Sequence, residues 1–204
     1  MATLVRDTFL EEQIRAQRKA KGLDLYDEVW EGVYVMPPIA NDEHQFIASR
    51  LGTILDMTIG LAGLGEVRLG VNVSDREEDW QYNYRIPDIA VFLKGTGSRN
   101  CGTHWVGGPD FAVEITSEGD QTREKLEFYA TIGVRELLII DRAPWTLELL
   151  RLQSGRLTVG DKSMIGRSDP LASQVVPLSF RLTAGGARPL IEVSHHDAVQ
   201  RWTL

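Results

Sequence analysis

Asp88, Glu114 and Lys125 are the residues whose types and spacing could do chemistry. Asp88 follows Arg85-Ile86-Pro87 and opens the apolar run Ile89 to Leu93; Glu114 lies near the end of a second run, Phe111 to Ile115. Both runs are short, rich in β-branched and aromatic residues, and bounded by Pro and Gly, which predicts two mostly buried strands. Side chains alternate along a strand, so Asp88 shares a face with Ala90 and Phe92, and Glu114 with Ala112 and Thr116. If the two strands neighbour each other antiparallel, the start of one meets the end of the other. The acids then converge at one edge of a core sheet. An ionised carboxylate there is costly unless it is paired or binds a cation. A hard divalent cation, which favours oxygen ligands, is the simplest partner. Lys125 follows in Arg123-Glu124-Lys125-Leu126-Glu127-Phe128-Tyr129, a helical stretch.

The elements that must position these groups are legible from pattern. Thr8 to Ala20 reads as a helix with a thin apolar face of Phe9, Leu10 and Ile14. Glu28 to Met36 reads as one bent or edge strand, interrupted at Gly32 and stopped by Pro37-Pro38. Asn41 or Asp42 caps a helix to about Ile59 with a buried stripe of Ile47, Leu51, Ile54 and Leu55, and Glu43 and His44 face the protein from its first turn. Strands are expected at Glu66–Val73, Tyr82–Leu93 and Phe111–Ile115, with a long loop from Gly95 to Gly108. Asp120 to Ile132 is expected to be a helix that buries Leu126, Tyr129 and Ala130 and stops at Gly133. Glu136–Asp141 is a central strand, Trp145–Leu152 pairs through Ser154-Gly155 with Arg156–Val159, and Leu178–Leu182 pairs with Leu190–Val193. This order predicts a mixed sheet flanked by helices, an α/β fold bordering on α+β.

With 204 residues, one domain is the default expectation and a sizeable core is affordable. No apolar run is long enough to span a bilayer, and the charged N-terminal stretch holds no hydrophobic signal core. A cytoplasmic location is therefore expected. Cys101 is the only cysteine, which excludes an intrachain disulfide or a cysteine-rich zinc site. The net charge of −7 argues against a broad sequence-independent nucleic-acid binder, while leaving room for a local basic groove.

The ordered set of motifs resembles the restriction endonuclease family of the Uma-two type, within the PD-(D/E)XK restriction-endonuclease-like superfamily. The matching residues are Tyr26-Asp27-Glu28-Val29-Trp30-Glu31-Gly32, Met36-Pro37, His44, Arg85-Ile86-Pro87-Asp88, Pro109, Val113-Glu114-Ile115-Thr116-Ser117, Lys125, Tyr129, Gly133 to Glu136 and Ile139-Ile140-Asp141. The resemblance covers a core of about residues 22–152. It leaves the N-terminal helix at 8–20 and the C-terminal hairpins at 156–193 as additions to a single domain. Three departures stand out, the first being that two positions of the family's Ser-Pro-Ser element are Glu118 and Gly119. The superfamily lysine position falls on Thr116, which moves the lysine to Lys125, and the usual aspartate before it is Gln121, with Asp120 adjacent.

The resemblance implies a metal-dependent endonuclease acting on DNA phosphodiester bonds. Asp88 and Glu114 would bind Mg²⁺ or Mn²⁺, and Lys125 would neutralise charge on the phosphate or position the attacking water. Glu43, His44, Ser117 and Arg85 would support them: Glu43 as a third acid, His44 and Arg85 toward a phosphate, Ser117 beside Glu114. Each has a plainer account. Asp88 is a turn aspartate, Glu114 a salt-bridged strand end, Lys125 a solvated helix lysine, Glu43 a favourable first-turn charge and His44 a satisfied core histidine. Arg85 is then an edge-strand arginine and Ser117 a cap. A homodimer suits the cutting of two strands. The alternative is a catalytically inactive nuclease fold acting as a binding or regulatory module, recognisable by a Lys125 that points to solvent.

Overall fold

The computed structural model describes residues 3–5, 8–37, 40–116, 119–166, 169–197 and 199–204. Strand β1 (Thr3–Val5) and helix α1 (Thr8–Ala20) lead into β2 (Glu28–Trp30) and β3 (Val33–Met36). Helix α2 (Asp42–Leu55) runs on as a π-helical turn, Asp56–Gly60, and is followed by β4 (Gly65–Leu69) and β5 (Val73–Ser74). Next come β6 (Tyr84–Arg85), β7 (Ile89–Leu93), β8 (Arg99–Asn100), β9 (Trp105–Val106) and β10 (Phe111–Ile115). A 3-10 turn, Thr122–Lys125, enters α3 (Leu126–Thr131), and β11 (Glu136–Arg142), β12 (Trp145–Gln153) and β13 (Arg156–Ser163) follow. The chain closes with β14 (Leu171–Ala172), β15 (Leu178–Thr183), β16 (Leu190–His195) and β17 (Arg201–Thr203).

Among the described residues the strands form sheets of seven (β1-β3-β2-β6-β5-β9-β8), six (β13-β12-β11-β10-β7-β4) and four (β14-β15-β16-β17). The six-stranded sheet carries the core. Its pairs are antiparallel except β10–β11, which is parallel and needs the crossover that α3 supplies. One face packs Ile89, Val91, Val113 and Ile140 under the stripe Ile47, Leu51, Ile54 and Leu55 of α2, and that cluster continues into Phe180 and Val193 of the C-terminal sheet. The other face packs Ala90, Phe92, Ala112 and Ile139 against Phe128 and Tyr129 of α3. Mixed sheets with few helices make an α+β fold, the side of the expected border on which it falls. Among the described residues no helix is long and apolar enough to cross a membrane.

Several elements differ from the pattern-based expectation. Glu28–Met36 is a hairpin rather than one bent strand. Glu31 and Gly32 both take positive φ (49° and 83°), the two-residue turn that matches strand twist, and Gly32 N–H donates to Tyr82 O at 2.8 Å. The strand expected over Glu66–Val73 ends at Leu69, because Gly70 turns with φ +57°, and Val73–Ser74 joins another sheet. The strand expected over Tyr82–Leu93 splits around Ile86-Pro87-Asp88: proline has no N–H for a ladder, and β6 and β7 enter different sheets. The loop Gly95–Gly108 holds β8 and β9. The helix expected over Asp120–Ile132 is a 3-10 turn plus six α-helical residues, and it buries Phe128 and Tyr129 while Leu126 and Ala130 are half-buried.

Candidate active site

The antiparallel register of β7 against β10 pairs Ile89 with Val113, so Asp88 before one strand and Glu114 within the other end up together. The Ile115 N–H donates to Asp88 Oδ2 at 2.7 Å. Glu114 is buried, and its Oε1 accepts from the Tyr129 hydroxyl. Lys125, delivered by the 3-10 turn at the head of α3, puts Nζ 3.1 Å from Glu114 Oε1 and 2.9 Å from Glu28 Oε1. Its side chain is only 12% exposed, so it is no solvated helix lysine. His44 Nε2 lies 3.2 Å from Asp88 Oδ1, and the His44 N–H donates to Asn41 Oδ1, the cap of α2, at 3.0 Å. The His44 Nδ1 is buried with no hydrogen-bond partner among the described residues.

Glu28 is the residue that pattern reading missed. It arrives from the seven-stranded sheet on β2, 3% exposed, with Oε1 accepting from Ile86 N–H at 2.8 Å and Oε2 from Trp30 Nε1–H at 2.7 Å. Reading Glu31-Gly32 as a hairpin turn would have placed Glu28 and Trp30 on one face of a short strand. That would have made a carboxylate beside a tryptophan conspicuous. Asp120 also borders the site: it lines the same cavity as Lys125, and its Oδ1 accepts from Thr122 N–H at 2.6 Å. The cavity is about 300 Å³ and is lined by Tyr26, His44, Asp88, Glu114, Asp120 and Lys125, among others.

The remaining sequence candidates lie elsewhere. Glu43 points away from the cavity, drawn off by two arginines, with Oε2 3.1 Å from Arg142 Nη1 and Oε1 3.4 Å from Arg188 Nε. Arg85 is buried in the fold: it donates to Val29 O and Asn83 Oδ1, and stacks over Trp30 and Phe128. Thr116, at the superfamily's lysine position, donates from Oγ1 to Asp141 Oδ1. Ser117 lies outside the described residues.

The electrostatics of the cluster are those of too many acids for the cations present. Burial pushes the Glu114 carboxyl up, to about 8; Lys125 counteracts this, while Asp88 and Glu28 add to it. Burial alone would depress Lys125, but Glu114 and Glu28 reverse that and hold its ammonium above the ordinary range. Burial and the neighbouring Glu114 likewise push the Tyr129 phenol well up, so it stays a donor. Among the described residues no group of three or more His, Cys, Asp or Glu side chains is placed to hold a metal ion. Two carboxylates, Asp88 and Glu114, suit only a divalent ion that takes few protein ligands. Mg²⁺ commonly takes only one or two carboxylates, with water and substrate phosphate supplying the rest, and the surplus negative charge favours a further cation.

The fold is thus of the restriction-endonuclease-like class. The chain belongs to the Uma2 family, described as "Putative restriction endonuclease", whose family model matches residues 22–185. Among solved structures it is similar to "a putative nuclease belonging to DUF820" from Anabaena variabilis ATCC 29413, at 20% identity and a TM-score of 0.53 over 65% of this chain and 75% of that one. At that identity the likeness speaks for the fold. No curated protein matches the chain.

Proposed function

We propose that the protein is a metal-dependent endonuclease that hydrolyses DNA phosphodiester bonds at the Asp88–Glu114–Lys125 cluster. The observation that supports this most is the position of Lys125, buried between two acids beside Asp88 rather than turned to solvent. Asp88 and Glu114 would hold Mg²⁺ or Mn²⁺. When bound, such an ion supplies a more acidic water and charge stabilisation at the leaving oxygen. The chain's own groups do the rest. Tyr129 orients Glu114, and His44, with Nε2 protonated, orients Asp88. The Lys125 ammonium meets the charge that builds on the phosphate. Glu28 anchors that ammonium in place. An inactive binding module would leave the lysine free of the acids, which this geometry does not favour.

Supercoiled plasmid and single-stranded DNA incubated with Mg²⁺ or Mn²⁺ test the reading. Metal-dependent nicking that disappears in Asp88→Ala and Glu114→Ala supports it. No cutting of either substrate, together with no metal-induced rise in melting temperature, would sink it.

A further inference from the structure

We infer that β4 is a self-pairing edge through which two copies of the chain join their six-stranded sheets. β4 ends that sheet, and among the described residues no strand pairs with its outer side. The hydrogen bonds from Lys94 N–H to Leu64 O and from Gly70 N–H to Asp88 O show which backbone groups face β7. With Glu66 paired to Phe92 and Arg68 to Ala90, the even positions face inward, and Gly65, Val67 and Leu69 turn their backbone groups outward. The outward Val67 carbonyl accepts only from its neighbour's side chain, Arg68 Nη1, at 3.1 Å.

An antiparallel pairing of β4 with itself, centred on Val67, satisfies three independent conditions. Outward groups meet outward groups: Val67 faces the second copy's Val67, and Gly65 its Leu69. The charges match, because Glu66 lies opposite Arg68 twice, exchanging the exposed pair that each copy now makes within itself for two cross-strand pairs. Leu69, 56% exposed, sits over a glycine that offers no side chain to clash. Leu61 and Leu64, 78% and 50% exposed, flank the same strand and add apolar surface to the joint. The operation is a twofold, the commonest symmetry of homodimers. Since Gly70 bonds to Asp88 at the end of β4, the pairing sets the two Asp88 positions about 20 Å apart along the strands and about 14 Å apart across them, roughly 25 Å in all within one continuous sheet.

The test does not depend on nuclease activity. Sedimentation equilibrium of the full chain should show a dimer. Glu66→Arg should weaken it about tenfold or more, by placing arginine opposite arginine twice, and the exchange Glu66→Arg with Arg68→Glu should restore it. In a Cys101→Ser background, Val67→Cys should form an interchain disulfide on mild oxidation, since hydrogen-bonded antiparallel partners lie about 5.5 Å apart at Cα. A chain that remains monomeric at high concentration overturns the inference. So does a dimer that ignores the charge reversal and fails to cross-link at position 67. Plasmid cutting by a monomer would overturn the joint while leaving the nuclease reading intact.

Discussion

In the proposed reading, Lys125 and Glu114 form the pair on which cleavage turns, and each yields a prediction. Lys125→Ala should lower the rate of DNA cleavage by about 10²–10³ while leaving Mn²⁺-induced stabilisation in place, because the ammonium acts on the phosphate rather than on the ion. Single-turnover cleavage beside a thermal-shift titration separates the two. Burial raises the Glu114 carboxyl, to about 8, so a proton competes with a bound cation for it. Metal affinity should therefore rise with pH, with protons released on binding, measured by calorimetry in buffers of differing ionisation enthalpy. The linked effect on stability has a definite sign. A raised folded-state pKa means that the native state binds more protons than the unfolded one, so the metal-free fold loses stability as pH rises from the ordinary carboxylate range through about 8. In Glu114→Gln that slope should flatten.

Among the elements, the β2–β3 hairpin has the most leverage on the site. Its turn needs positive φ at Gly32, where a Cβ would also stand 2.6 Å from the Tyr82 ring. Gly32→Ala should cost about 1–3 kcal/mol, seen as a lower melting temperature, and should reduce cleavage through Glu28 without weakening metal binding. This hairpin is also where the sequence was hardest to read. The meeting of Asp88 and Glu114 followed from two apolar runs and their alternation only on the condition that the strands pair antiparallel, which the register supplies, and α1 and a cap at Asn41 or Asp42 came from start signals. Glu28 could not be deduced, because its place depends on a backbone turn at Glu31, a residue type that seldom takes positive φ. Glu43 misled for the opposite reason: spacing placed it on the buried side of α2, yet two arginines far along the chain draw it away. Short strands such as β8 and β9 carry too little pattern to be seen at all.

For the whole molecule, charge is the governing quantity. A chain of net −7 whose cavity gathers several acids repels a polyanion. Duplex binding should therefore be weak in EDTA and rise steeply when Ca²⁺ or Mg²⁺ is added, read by fluorescence anisotropy at fixed ionic strength. Composition alone gave this sign. It could not show that the site straddles two sheets, since that follows from pairings between residues far apart in sequence. The class of fold was legible because the central strands β10 and β11 are largely apolar runs and β12 alternates.

That division between sheets has a thermal consequence. The strands that carry Asp88 and Glu114 are clamped on both faces, by the large cluster beneath α2 and by the one against α3, whereas the hairpin bearing Glu28 rests on a small cluster of Val29 and Tyr34 with Ile14, Met36 and Tyr84. Small clusters open at lower free energy than large ones. On warming, the hairpin should come loose first and take with it the anchor of Lys125. Catalysis should then fade several degrees below the global melt and return on cooling, with the ion still in its place.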